Sequence, residues 1–271
     1  MKKQLVNTNV NILERLYYPR ISVVIPARNE AKNLHYVLPY LPPNITEVIL
    51  VDGQSVDGTI AEAQKLLPSI QIIQQPGKGK GDALRAGFAA CTGDIIVMLD
   101  ADGSADPAEI PRFVEALLQK NDFAKGSRFL KGGGSKDITP LRRLGNSMLS
   151  SLVNVLFHTQ FSDLCYGYNA FWKHCLDSVV IDCDGFEVET LIYLRMHRAQ
   201  VKFVEVPSFE HPRIYGQSNL NTFHDGWRIL QTIIREWVRR DDKNLAEELA
   251  EQCYQLEQTS TDEFSYNRHP L

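Results

Sequence analysis

Between Ile21 and Phe129, short aliphatic runs alternate with longer segments of helical period. ISVVI (21–25), TEVILV (46–51), SIQII (69–73) and DIIVML (94–99) are rich in Val, Ile and Leu and too short for helices, so they read as strands. Segments beginning near Glu30, Asp57, Gly81 and Pro107 supply the helices between them. Solid apolar strands separated by helices predict an α/β fold, with a mainly parallel central sheet covered by helices on both faces. The second half is less regular. DFAKGSRF (122–129), YGYNAFW (166–172) and VKFVEV (201–206) read as strands. Leu141, Leu144, Met148, Leu149, Leu152, Val153, Leu156 and Phe157 mark one helix, and FEVETLIYLRMHR another. Over 225–240, Trp227, Leu230, Ile233, Ile234, Trp237 and Val238 fall on one predicted helix face, with arginines nearby.

Each of the first four strands stops in polar residues: PARNE, DGQSVDGT, QQPGKGKG and DADGSADP. In parallel sheets ligands bind outside the carboxyl ends of the strands, so these loops predict one shared site. Asp100 and Asp102 are two residues apart at a strand end, which points both carboxylates one way while Ala101 faces away. Such hard oxygen donors suit Mg²⁺ or Mn²⁺ shared with phosphate oxygens. A solvated Asp-Gly turn, with Asp106 capping the next helix, is the alternative. GKGKGDALRAGF (77–88) sets Lys78 and Lys80 among glycines where a helix begins, an arrangement that favours an anion such as a diphosphate; a flexible basic loop is the other reading. No Walker A register fits, and no G-x-G-x-x-G follows the first strand.

Composition bounds these readings. A chain of 271 residues, 44% of them hydrophobic, can bury one sizeable core, so a single domain is expected over 21–240, after an N-terminal extension (1–20). Residues 241–271 carry net charge −6 against −4 for the whole chain, and read as a short helix and a partly disordered acidic end. The remainder, near neutrality and without a Lys/Arg block, argues against a nucleic-acid partner. The five cysteines are odd in number and form no C-x-x-C pair, which fits a reducing cytosol. No run approaches the roughly 20 apolar residues of a spanning helix, and the N-terminus lacks the apolar core of a signal peptide. The expected location is the cytoplasm, with any membrane contact peripheral and made by the 225–240 helix, unless that helix packs on the core.

VVIPARNEAKNL, VDGQSVDGT, GKGKGDALRAGF, LDADGSADP, GSRF, DLCYGYNAFW, GFEVETLI and HPRIYGQSNL, in this order over about residues 20–238, resemble family 2 glycosyltransferases of GT-A fold. The likeness is to the dolichyl- and polyprenyl-phosphate mannose synthase branch. That resemblance implies an inverting, metal-dependent hexosyltransferase using a nucleotide diphosphate sugar. It puts Pro26, Ala27, Asn29, Glu30 and Asp52 around the nucleoside, with Asp57 supporting that wall. It makes Asp100 and Asp102 the motif for Mg²⁺ or Mn²⁺, and assigns Arg213 and Ser218 to a loop (208–222) that closes over the donor phosphates. The chain departs from the family at Gly53, where a second aspartate is common, and at Asn219, where a lysine is.

The acceptor is less defined. A phosphate acceptor is anionic already and needs only cations to hold it, here Arg128, Arg142 and Arg143. A hydroxyl acceptor needs a carboxylate base, for which Asp163, Glu187 and Glu189 are candidates. A polyprenyl phosphate is the expected acceptor; a soluble hydroxyl acceptor, or a non-catalytic nucleotide-sugar-binding protein, are the alternatives.

Overall fold

The computed structural model describes residues 18–218 and 220–239. The N-terminal extension up to residue 17, Asn219, Arg240 and the acidic segment 241–271 lie outside the described residues.

Seven strands form the main sheet: β1 (Ile21–Ala27), β2 (Glu47–Asp52), β3 (Gln71–Gln74), β4 (Ile95–Met98), β5 (Phe123–Ser127), β7 (Asn169–Trp172) and β8 (Phe203–Pro207). Their order is β3-β2-β1-β4-β7-β5-β8. All neighbours pair in parallel except β7, which runs antiparallel to both β4 and β5. A small parallel pair, β6 (Gly134–Ser135) with β9 (Phe209–Glu210), lies apart from it. The mainly parallel α/β sheet is as expected.

Alternation along the strands builds the two cores. Val24, Ile49, Val51, Ile96 and Met98 enter one cluster, while Val23, Ile25, Val48, Leu50, Ile95 and Val97 enter the other. At about 1.5–3 kcal/mol for each fully buried aliphatic side chain, this two-sided burial holds the central strands in register. The first face is covered by α2 (Lys80–Ala90), α4 (Pro140–Phe157), α5 (Val188–Arg198) and a helix over 222–239, here α6. The second is covered by α1 (Thr59–Leu66) and α3 (Ile110–Leu118), with 3₁₀ turns beside them.

Two expectations are corrected. No α-helix follows Glu30; instead two 3₁₀ turns cover Asn33–Tyr36 and Leu38–Tyr40. Pro39, Pro42 and Pro43 explain this, since proline removes an amide donor and disfavours helical geometry in the residue before it. In α6 the packed positions are Asp225, Ile229, Thr232, Ile233 and Glu236, whereas Trp227, Ile234, Trp237 and Val238 stay exposed. The predicted apolar face is therefore split, because buried Glu236 is drawn inward by Arg195 (2.7 Å) and Arg198 (3.4 Å) of α5.

The chain passes from β1 through β2 to β3 on one side and then returns to β4 on the other side of β1. Such a reversal opens a crevice at the carboxyl ends of the two diverging strands. Pro26, Ala27 and Glu30 reach it from β1, and Asp100 and Asp102 from just beyond β4.

Candidate active site

The crevice is a cleft of about 1030 Å³. Ala101 is buried against the core, while Asp100 and Asp102 line the cleft, as their spacing predicts. Neither carboxylate stands alone. Asp100 Oδ1 lies 2.6 Å from Lys80 Nζ, and the same ammonium lies 2.7 Å from Glu189 Oε1. Asp102 Oδ1 accepts from Ser104 N (3.0 Å), and its Oδ2 accepts from Arg213 Nη2 (3.0 Å). Arg213 Nη1 donates to Glu30 Oε1 (3.0 Å), and Asn33 Nδ2 donates to Glu30 Oε2 (2.6 Å). The floor thus holds two ion clusters, one ending on α5 and the other on the loop after β9.

Local chain geometry explains how Lys80 arrives there. Gly79 caps α2 with φ +89°, and a Cβ on it would sit 2.0 Å from Asp184 O. Only glycine lets the loop turn so close to the 184 backbone. Lys80 then points inward while Lys78 stays at the exposed rim. Burial alone would lower the Lys80 pKa, but Asp100 and Glu189 reverse this and hold the ammonium charged. Burial raises Glu189 above the ordinary carboxylate range, with Lys80 pulling the other way and Asp100 adding to the rise. Burial likewise raises Glu30, against Asn33 and Arg213.

The remaining residues of the predicted nucleoside wall divide into liners and braces. Pro26, Ala27 and Glu30 line the cleft, and so does Gly53, which stands outside that predicted set. Asn29 and Asp57 instead stitch two loops together: Asn29 Oδ1 accepts from Val56 N (2.9 Å), and Asp57 accepts from Ala31 N (3.0 Å) and Thr59 N (3.0 Å). Asp52 is buried, with Oδ2 accepting from Ser55 N (3.1 Å) and Oδ1 unpartnered among the described residues. Ser218 lines the cleft close to Leu220, whose amide its hydroxyl accepts (3.3 Å).

The acceptor candidates are redistributed. A guanidinium has five N–H donors, and Arg128 spends all of them internally. Nε and Nη2 bind Asp163 (2.7 and 2.9 Å), Nη2 also binds Cys165 O (3.0 Å), and Nη1 binds both oxygens of Glu210 (3.1 Å each). Arg128 borders the cleft without a free donor for a phosphate. Asp163 is fully buried under it and is no proton acceptor for a substrate. Glu187 turns away to Arg228 (2.8 Å), which leaves Glu189 as the cleft-lining carboxylate of the three. Arg142 lines the cleft, bonded to Leu220 O (3.1 Å) and Thr222 Oγ1 (3.3 Å); Arg143 faces a neighbouring depression over Phe129.

Three residues of the site escape a reading by pattern. Asn146 is buried in α4 and borders the cleft; its Oδ1 accepts from Leu164 N and Cys165 N (3.1 and 2.9 Å), and its Nδ2 is unpartnered among the described residues. A polar residue within the apolar 141–157 pattern was the available signal. Glu210 and Gly167 gave none: each acts on residues far away in sequence. Cys165 also lines the cleft, but burial pushes its thiol up to about 12, so it stays protonated.

Comparison with known proteins places this geometry. Residues 22–180 match the family described as glycosyl transferase family 2. The chain is 27% identical over 220 residues to glycosyltransferase AglJ of Haloferax volcanii, covering 79% of this chain and 71% of that one. It is 30% identical over 210 residues to a dolichol-phosphate mannosyltransferase of Pyrococcus furiosus, covering 74% of this chain and 59% of the relative. The match to the hexosyltransferase Agl6 of Haloferax volcanii spans 52% of that protein, so the chain corresponds to little more than half of two of these three relatives. Among solved structures, glucosyl-3-phosphoglycerate synthase of Mycobacterium tuberculosis, with Mn²⁺, UDP-glucose and phosphoglyceric acid, superposes with TM-score 0.64 at 21% identity, over 81% of this chain and 80% of that one. The fold is GT-A.

Proposed function

Because the chain belongs to glycosyl transferase family 2, we propose that its cleft moves a hexose, with inversion, from a nucleotide diphosphate sugar to a polyprenyl phosphate. The acceptor assignment is carried by one observation: the buried Asn146 Nδ2, unpartnered among the described residues, which with Arg142 lines the cleft wall. A buried amide donor left unpaired costs about 1–3 kcal/mol, and a phosphate oxygen would relieve it. The resemblance to a dolichol-phosphate mannosyltransferase supports the same class.

The donor diphosphate is expected over the charged floor. Asp100 and Asp102 offer only hard carboxylate oxygens, and no group of three or more His, Cys, Asp or Glu side chains that could hold an ion occurs among the described residues. That donor set fits Mg²⁺ or Mn²⁺ completed by phosphate oxygens. Bound there, the ion would neutralise the leaving diphosphate. Lys80 and Arg213 flank the two aspartates and can turn to phosphate oxygens, while Arg142 and Asn146 orient the acceptor anion from α4. An anionic acceptor attacks without a base. A hydroxyl acceptor is the second reading, favoured by Glu189, which lines the cleft and whose pKa burial raises.

Apolar side chains support a lipid-bearing acceptor. Leu144 and Met148 of α4 and Phe223 and Trp227 of α6 are exposed, and the two helix starts are tied by the Arg142–Thr222 bond. Among the described residues no helix is long and apolar enough to cross a membrane.

Asn146→Asp tests the acceptor. It keeps an oxygen for Leu164 and Cys165 but replaces the free donor by negative charge. Transfer to a short polyprenyl phosphate should fall by about tenfold or more, matching a lost charge-assisted bond of about 1.5–3 kcal/mol, while donor affinity holds. Undiminished transfer, or activity confined to soluble sugars and abolished by Glu189→Gln, would replace this acceptor by the hydroxyl one.

A further inference from the structure

Four carboxylates and two cations line the cleft floor in two ion clusters: Lys80 with Asp100 and Glu189, and Arg213 with Asp102 and Glu30. With all six ionised the floor carries −2. Each aspartate already has a cation in direct contact, at 2.6 Å for Lys80 and 3.0 Å for Arg213. Both cations are shared with a second carboxylate, and both side chains are mostly buried.

This arrangement handicaps each ligand alone. A divalent cation approaching by itself meets oxygens held by an ammonium and a guanidinium, and must either displace them or sit against like charge. A diphosphate approaching by itself meets a floor with excess negative charge. When both arrive, phosphate oxygens give Lys80 and Arg213 new partners, and the released aspartate oxygens face the metal.

We propose that Lys80 and Arg213 are built-in counterions of Asp100 and Asp102, so that a divalent cation and a nucleoside diphosphate bind weakly alone and tightly together. The inference rests on the donor-site reading above and adds an energetic coupling to it. Coupling of this kind is reciprocal: whatever factor the nucleotide adds to metal affinity, the metal adds to nucleotide affinity. Lys80 and Arg213 act here as positioning residues, deciding when the aspartates are free.

The test is binding, with no turnover. Mn²⁺ is titrated into the full chain and followed by its free-ion electron paramagnetic resonance signal, with and without UDP or GDP. Nucleotide binding is followed by calorimetry with and without Mn²⁺. Both sets are corrected for the metal–nucleotide complex measured without protein. The expected result is an increase of roughly tenfold or more in each affinity when the other ligand is present, equal in the two directions. Lys80→Met and Arg213→Met should each strengthen Mn²⁺ binding in the absence of nucleotide and shrink the coupling, whereas Arg213→Lys should keep most of it. Arg213 lies on a surface loop, so its variants report even if Lys80→Met fails to fold. Equal Mn²⁺ affinity with and without nucleotide, or variants whose Mn²⁺ affinity without nucleotide is unchanged, would overturn the proposal and leave the donor site standing. Absence of binding in every combination would overturn the donor site and the coupling with it.

Discussion

A Cβ built on Gly167 would lie 2.7 Å from Lys80 Nζ and 2.9 Å from Asp100 Oδ2. The missing methyl group is what lets ammonium and carboxylate meet against the chain entering β7. Gly167→Ala should force Lys80 off Asp100, and a displacement on the order of 1 Å at a reacting centre can cost about 10²-fold in rate. Steady-state kinetics with a thermal melt would separate that loss from unfolding; full activity with an unchanged melt would contradict it. Asp163 makes a different prediction. Burial would raise its pKa, but the Arg128 bonds hold it below the ordinary carboxylate value. The unfolded chain therefore binds this proton first as pH falls. Its contribution is complete above about pH 4 and is lost as acid titrates the folded carboxylate. Asp163→Asn should cost about 3–5 kcal/mol at pH 7, because it strips a buried guanidinium of its main partner. The wild-type advantage should shrink below about pH 4. Denaturant melts of both proteins at pH 7 and pH 3 check both halves.

At the scale of elements, the loop after β9 is fastened at two points. Arg213 grips Asp102 and Glu30, and Tyr215 exchanges two 3.1 Å bonds with Asn33, one through each backbone group. Asn33→Ala removes the second fastening and the Asn33–Glu30 bond. Trypsin cleavage after Arg213 should then quicken by about tenfold, in line with losing bonds worth roughly 0.5–1.5 kcal/mol each, and nucleotide with Mn²⁺ should slow it again. Cleavage as slow as in the parent chain would mean that Asn33 does not hold the loop. This loop also shows what the sequence could and could not tell. Strand positions follow from alternation, a property of neighbouring residues, and were legible, as was the run of polar residues past β4 in which Asp100 and Asp102 line the cleft. Arg128 looked like a phosphate ligand because its partners stand 35 and 82 residues away, at Asp163 and Glu210. Nothing local marks their arrival. The helix expected after Glu30 failed for a local reason that was visible, the prolines of LPYLPP, and the face of α6 was misjudged because buried Glu236 draws its partners from α5.

Across the whole molecule, the antiparallel strand β7 has a consequence for how the protein is made. Strand β4 is apolar and fully buried, and its outer edge is closed only by β7, with Met98 paired to Asn169, 71 residues later. During synthesis the first four strands and their helices can assemble while that edge is still bare. An open, uncharged edge is a template for pairing with another chain, and nascent domains with such surfaces aggregate readily. A product that ends near residue 165 should therefore scatter light on dilution from denaturant under conditions where the full chain refolds clear. The strand that brings Gly167 to the cleft floor thus also ends the interval in which a growing chain is most exposed to its neighbours on the polysome.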